Sequence, residues 1–489
     1  MMEKTAGSPP KSREENFNMK RFLSRLLTGV VLTMALCCVA AAASDFDAAA
    51  KDLSSIGMFR GTANGSFELD RAPTRSEAAI MLVRLYGAEE QAKADFDAGK
   101  LQNPFTDVSQ FTAPYVAWLH DKGIANGTGA TTFGAAQPCT LQNYAVFLLR
   151  ALGYQDGKDF QYADALSFAQ SKGFYSPVMF SGSFLRDDLA ALTYQALAAD
   201  MADGKTYLLD SLIRSGAVDA AAAKPMTEKI QAYRSMENAM QGVSGEMTSM
   251  DMDMNMKMKM DMTVAGQTEK VSSDTVTSGN VKVVMNGSDI QMAYDMNTKD
   301  AEGSSVKMGM WLKDGWFYTS MIDGQEELKY KFSMDASGLS DLMGSLQPME
   351  GMQAANVSGL AMLDSITSKK SGGDTVYTLT IGSGMSGMME GLTDLMGEEA
   401  GLAGLHFGDI LAEYTVGSNG QLKAVRMVFS AGMNTSLPLE DGKPAQPVTL
   451  DYDYDMTMKV NAVGSSVKIT FPDLSTFPEL DLGDLARAA

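Results

Sequence analysis

Ser249 to Met262 reads SMDMDMNMKMKMDM, with a methionine at every even position from Met250 to Met262 and Asp251, Asp253, Asn255, Lys257, Lys259 and Asp261 between them. Side chains alternate across a β-strand, so period two puts every thioether on one face and the polar groups on the other. A helix would scatter the same methionines around its circumference. The stretch therefore predicts a long strand in a half-buried antiparallel sheet. Counted from Met247 it exceeds the usual three to ten residues, so it is expected to curve, or to break near Asn255.

Soft thioethers also select Cu(I). Alternate residues of one strand are about 6.6 Å apart, however, and a metal needs three or four sulfurs at one point. The chain has two histidines, His120 and His406, and neither is close in sequence. The strand alone therefore earns no metal, and a site requires neighbouring strands to bring their methionines to the same place. The alternating Asp451, Asp453 and Asp455 read as a solvated outer face rather than as calcium ligands.

The chain has 489 residues and a net charge of −20. That length accommodates more than one core, and the acidity argues against nucleic acid as a partner. Residues 1–43 form an expected signal peptide: a basic start after Met19, the expected translation start, then an apolar run from about Leu26 to Val39, and small residues ending in Ala41-Ala42-Ala43. Cys37 and Cys38 lack the small preceding residue that lipidation wants. Once the leader is removed Cys139 is the remaining cysteine, so neither an intrachain disulfide nor a thiolate metal site is expected. No second apolar run is long enough to span a bilayer.

From residue 44 to 214 the apolar spacing is helical, in three similar segments: 44–100, 101–156 and 157–214. Each has an amphipathic helix, a Gly turn, a loop with a Phe (Phe67, Phe133, Phe180 or Phe184), and a capped second helix. Thr74 with Glu77 forms a capping box, and Thr140 and Ser183 or Asp187 stand at the corresponding starts. The Ala-rich SGAVDAAAAKP, 215–225, reads as a linker before a period-two region at 226–482.

The first segment carries Phe67, Thr74, Arg75 and Glu77 in the pattern F…T-R-x-E. The second carries Phe105, Asp107 and Val108 (F-x-D-V), Trp118, and Gly123, Ile124, Asn126 and Gly127 (G-I-x-N-G). These residues resemble the S-layer homology (SLH) family. The resemblance implies a helical, trimer-like module of three repeats that binds an anionic secondary cell-wall polymer, or a modified peptidoglycan, at the bacterial surface. It nominates Arg75, Thr74, Glu77, Trp118, Gly127 and Arg186 as polymer-binding residues. A cation at a helix N-terminus suits a ketal carboxylate. The second segment departs from the pattern with Thr140-Leu141-Gln142-Asn143 and the third with Leu185-Arg186-Asp187-Asp188, so fewer than three working grooves are expected.

Beyond Pro225 a short helix with Thr227 as its cap is expected, followed by hairpins turning at Asp314-Gly315, Asp323-Gly324 and Asn419-Gly420. Thirty of the chain's 38 methionines lie here, at inward positions where Val, Ile or Leu is usual. Two Met/Leu/Gly segments, Ser337 to Met352 and Met385 to Leu405, have marginal helical spacing and could serve as lids. The hairpin WLKDGWFYTSM…EELKYKFSM and the closing SVKITFPDLSTFPEL, read as a terminal strand, resemble the LolA/LppX-like half-barrel carriers of lipids and lipoproteins. That resemblance implies an apolar cavity without catalytic residues. Met250, Met252, Met254, Met256, Met258, Met260, Met308, Met310, Trp316, Tyr318, Met456 and Met458 are its expected lining, because unbranched, polarizable methionine repacks around varied guests.

The expected fold class is thus α+β and multidomain: an all-α repeat module followed by an antiparallel β half-barrel with short helices. No nucleophile, phosphate loop or metal constellation suggests an enzyme, and no cofactor is expected. The expected function is a wall-anchored surface protein whose β-region binds a lipid or other apolar ligand. The alternatives are a structural or adhesive envelope protein, and a methionine-based copper or oxidant buffer.

Overall fold

The computed structural model describes residues 46–61, 65–177, 180, 183–241, 249–265, 270–286, 289–333, 359–382, 406–437 and 446–479. The expected signal peptide and the two Met/Leu/Gly segments lie outside the described residues. No described helix is long and apolar enough to cross a membrane.

The helical part runs α1 (Asp47–Ser55), α2 (Arg75–Leu85), α3 (Glu89–Asp97), α4 (Ala113–Asp121), α5 (Leu141–Ala151), α6 (Ala165–Ser171), α7 (Arg186–Ala198) and α8 (Leu208–Arg214). Helix pairs α1/α2, α4/α5 and α6/α7 fall within the segments 44–100, 101–156 and 157–214 in turn, and α3 lies between the first two pairs. The start of α2 is fixed as its sequence predicts: Thr74 accepts from Glu77 N–H while the Glu77 carboxylate takes Thr74 N–H. Thr140 caps α5 through Asn143 N–H. At α7 neither Ser183 nor Asp187 is the cap. Leu185 occupies that position, and Asp188 accepts its N–H at 2.7 Å.

The expected short helix is instead α9 (Lys224–Gln241), eighteen residues long. Thr227 lies inside it with a buried hydroxyl that finds no partner among the described residues. The chain is turned into α9 upstream, where Asp219 accepts from Ala222 N–H.

The β-region is one antiparallel sheet: β1 (Ser249–Val264), β2 (Lys270–Asn286), β3 (Asp289–Asp300), β4 (Ser305–Lys313), β5 (Trp316–Asp323), β6 (Glu326–Ser333), β7 (Leu363–Ser371), β8 (Asp374–Ile381), β9 (His406–Phe407), β10 (Ile410–Val416), β11 (Leu422–Leu437) and β12 (Gln446–Val463). The order is β6-β5-β4-β3-β2-β1-β12-β11-β10-β8-β7, with β9 beside β11. It is an open half-barrel, and the class is α+β. The methionine strand β1 sits at its centre, between β2 and β12. It does not break near Asn255. The irregularity is a bulge against β12 at Asp251/Met252, and from there to Val264 the two strands pair without interruption, which is how so long a strand stays whole.

The closing SVKITFPDLSTFPEL is not a terminal strand. Pro472 and Pro478 lack N–H donors for a ladder, and the segment makes one bridge, Lys331 with Glu479. It instead folds over the sheet face opposite the methionines. There Phe477 packs edge-on against Trp311 and Tyr318, with ring centroids 5.9 and 5.6 Å away.

Helical repeats and sheet share one continuous core. Leu360, Ala361, Leu363, Ile366, Tyr377, Leu379, Ala412 and Val416 are buried in the same cluster as the helix interiors. Helix α9 is the mortar. Lys229 Nζ reaches Asp52 Oδ2 at 3.0 Å, where Tyr194 also donates at 2.8 Å. Tyr233 Oη accepts from Gly359 N–H, and Ser235 Oγ lies 3.0 Å from Tyr377 Oη. Val218 and Ala223, in the segment read as a linker, are buried.

Candidate functional site

The repeats are closed on each other by arginines at helix starts. Arg75, at the first residue of α2, points into the second repeat. Its Nε donates to the Phe133 carbonyl at 3.0 Å and its Nη2 to Asn126 at 3.2 Å, with the guanidinium 5.0 Å from the Phe133 ring. Arg186, at the first residue of α7, repeats the arrangement on the first repeat. Nε donates to the Phe67 carbonyl at 2.9 Å, and the group lies 5.0 Å from the Phe59 ring. Both arginines are buried, at 4% and 7% exposure. Each holds a neighbouring repeat's phenylalanine loop, a contact across 58 and 119 residues of chain.

The second repeat lacks the arginine and uses another device. Gln142 donates to the Tyr162 carbonyl, and Tyr162 Oη donates to Asn143 at 2.8 Å. The Tyr144 ring meets Phe184 of the third repeat at 6.0 Å.

Asp107 of the F-x-D-V opening explains its own position. It accepts from Phe133, Gly134 and Ala135 N–H at 2.7, 2.7 and 3.1 Å. Burial opposes its charge, yet these donors hold the carboxylate below its ordinary range. Gly127 has no room for a side chain, since a Cβ would fall 2.4 Å from the Phe105 ring and 2.5 Å from the Thr132 carbonyl. Trp118 is buried against Tyr86, 5.5 Å between centroids.

The nominated residues therefore divide. Thr74, Glu77 and Arg186 converge where the third repeat meets the first. Arg75 and Gly127 lie at the seam of the first and second, and Trp118 is a core residue. At the first of these junctions Glu77 is the hub, taking Arg71 at 2.6 and 3.0 Å and Arg186 at 3.3 Å. Burial would raise this carboxyl, but the Arg71 hydrogen bonds, Thr74 N–H and the Arg186 charge bring it down to about 2. Arg71 is the residue the sequence reading missed. Its side chain is 39% exposed, its hydrogen bonds to Glu77 and Glu68 raise its basicity, and it presents charge on the rim that buried Arg186 cannot. It stood in view in the DRAPTRSE run, four residues before Arg75. Arg60 lends Arg186 its backbone carbonyl, while its own guanidinium, 55% exposed, pairs with Glu89 at 3.2 Å.

The sheet offers a second feature, a face lined with methionine. Directly opposed residues of a ladder share a face. Met252, Met254, Met256 and Met258 of β1 are buried on it, Met260 partly, and Met456 and Met458 of β12 join them through the pairs Met256/Met456 and Met254/Met458. Across β3 to β5 the row continues through Met296, Met308 and Met321, with Tyr294 and Met310 in the next.

Trp316 and Tyr318 are not on this face, contrary to expectation. The two-residue turn at Asp314-Gly315 pairs Lys313 with Trp316 and Trp311 with Tyr318, so the two aromatics stand on the outer side with Trp311. Phe317, opposite Leu312, is the aromatic of β5 that stands on the methionine side.

No group of three or more His, Cys, Asp or Glu able to hold a metal exists among the described residues. Cys139 is buried, and burial pushes its thiol up to about 12, which makes it inert as a nucleophile.

The family model of the S-layer homology domain matches residues 104–142, which take in α4, the Asp107-tied loop and the start of α5. The chain is 29% identical over 114 residues, 23% of its length, to a middle cell wall protein of Brevibacillus brevis. It is 30% identical over 107 residues to a surface layer protein of Brevibacillus choshinensis, and 28% identical over 175 residues to a cell surface protein of Thermoanaerobacter kivui. It spans 10%, 9% and 22% of those relatives' lengths. With the repeat geometry and these matches together, the chain is a cell-surface, cell-wall-associated protein that carries an S-layer homology domain.

Proposed function

We infer that the helical repeats bind an anionic secondary polymer of the cell wall, or a modified peptidoglycan, without a covalent bond, and that the sheet holds a lipid or other apolar ligand against its methionine face. The first part is supported by the junction of the third and first repeats, where exposed Arg71 stands beside the buried Arg186 on the Glu77 carboxylate that both share. In an acidic chain a paired set of arginines is a local site for carboxylate or phosphate, and the planar guanidinium suits both. Arg71 already shares its donors with Glu77 and Glu68, so a bound anion competes with carboxylates. That arrangement favours a multivalent polymer over a free monoanion.

The second part rests on one observation: strand register lays methionines of β1, β3, β4, β5 and β12 side by side on a single face. Such a wall is adaptable and gives little directional selectivity. The likeness of the WLKDGWFYTSM hairpin to half-barrel carriers points the same way. This is a binding protein rather than an enzyme in our reading. An envelope protein whose sheet only fills space is the competing account.

Native mass spectrometry of the full chain purified from its source, with and without lipid extraction, separates the two. A co-purifying amphiphile displaced by Met308→Lys supports the apolar-ligand reading, and a bare chain under all conditions refutes it.

A further inference from the structure

The central strands bring methionines from three neighbours to one place, the condition under which a thioether metal site becomes possible. Met254 faces Met458 and Met256 faces Met456, while Met427 of β11 faces Met456 from the other side. Directly opposed Cβ atoms in such a ladder are about 5 Å apart, and alternate residues along a strand about 6.7 Å. The four residues Met254, Met256, Met456 and Met458 thus mark a rectangle whose corners lie about 4 Å from its centre. A thioether sulfur two bonds beyond Cβ, with a metal–sulfur bond of about 2.3 Å, covers that distance.

The neighbours strengthen the case. Gly279 sits opposite Met254 on β2, and the space of its absent side chain holds another sulfur: a Cβ there would be 2.6 Å from Met296 Sδ. Beside the patch Tyr454, opposite Met258, stacks on Phe429 with centroids 4.7 Å apart, an aromatic surface of the kind that tolerates a monovalent cation. Met254, Met256 and Met456 are at most 3% exposed, and the charged residues of β1 and β12 alternate onto the opposite face.

We propose that Met254, Met256, Met456 and Met458, with Met427 at the edge, form a binding site for a soft monovalent d10 cation, Cu(I) or Ag(I). Thioethers without carboxylate, imidazole or thiolate discriminate against zinc, magnesium and calcium, whose preferred donors are absent from the patch among the described residues. The site is independent of the apolar-ligand reading, since it needs the register and not a cavity.

The test is anaerobic titration of the full chain with Cu(I) in competition with a chromogenic Cu(I) chelator, repeated with Ag(I) by native mass spectrometry. The expected result is one ion per chain, an all-sulfur coordination shell by X-ray absorption, and no retention of zinc. Met256→Leu with Met456→Leu, near-isosteric changes, should weaken binding at least tenfold. The single Met458→Leu, at a half-buried corner, should weaken it severalfold, and Met81→Leu, buried in α2 away from the sheet, should leave it unchanged. Absence of binding by the wild-type chain, several equivalent ions per chain, or equal affinity in Met458→Leu and the double variant would each overturn the proposal.

Discussion

Arg186 Nε donates to the carbonyl oxygen of Phe67 at 2.9 Å, and by this bond the last repeat closes on the first. Arg75 makes the same contact one junction earlier, to Phe133. Both guanidiniums are inside the fold, so their first role is to assemble the module. Removing either leaves a carbonyl without its donor and an aromatic ring without its cover. Arg75→Ala and Arg186→Ala should each lower stability by about 2–4 kcal/mol in urea unfolding. Lysine should not restore it, because one ammonium cannot hold two carbonyl directions and stack as well. Arg71→Ala should cost less than about 1 kcal/mol, as expected of a solvent-screened ion pair.

Lys229 of α9 is buried and its charge is answered by Asp52 of α1 at 3.0 Å. Asp52→Asn leaves the ammonium half-answered and weakens the Tyr194 hydrogen bond. The variant should lose about 1–3 kcal/mol. Because helices and sheet share a core through α9, the loss should shift one common transition. Helical and sheet signals that separated into two transitions in the wild-type protein would show that the parts fold independently.

Glu237 on α9 titrates out of its usual range. Burial raises its carboxyl to about 7, against the stabilising influence of Tyr233 and Arg234, while Asp200 adds repulsion. A carboxyl whose folded value is raised stabilises the fold below the ordinary carboxylate range, and that stabilisation is lost as pH climbs toward 7. Glu237→Gln should therefore be near neutral at pH 4.5 and stabilising at pH 8, by at most about 3 kcal/mol. Melting temperatures of both proteins across that range check the sign. Asp188, raised to about 6 by burial against the Leu185 N–H bond, moves the wild-type profile in the same direction.

Gly309 lies under the ring of Trp311, and a Cβ there would come within 2.1 Å of the indole. Gly309→Ala should displace the ring from Phe477 and loosen the C-terminal segment. The expected readouts are an altered near-ultraviolet signal of Trp311 and faster proteolysis after residue 464, with the methionine face retained.

Much of this architecture is legible in the sequence because it is local. The Thr74/Glu77 cap, the period-two methionines and the Asn419-Gly420 turn depend on neighbours a few residues away. The roles of Arg75 and Arg186 are not legible, because their partners are carbonyls 58 and 119 residues distant, and a carbonyl leaves no trace in a sequence. The side on which Trp316 and Tyr318 stand is legible in the turn. A two-residue turn fixes the pairing of Lys313 with Trp316, and that parity puts Phe317 beside Leu312. The length of α9 and the shared core escape the sequence for another reason: an alanine-rich stretch looks the same whether it is a loose linker or a packed turn.

We infer that the helical repeats hold this protein to the wall through a secondary polymer or the peptidoglycan beneath it. The most direct measurement is sedimentation of the full chain with purified sacculi, intact and stripped of their secondary polymer, alongside Arg71→Ala. Retention on intact sacculi is expected, weakened severalfold by Arg71→Ala while that variant loses less than about 1 kcal/mol of stability, with the stripped sample deciding between polymer and peptidoglycan. A chain that remains in solution with both preparations, while folded, would contradict it.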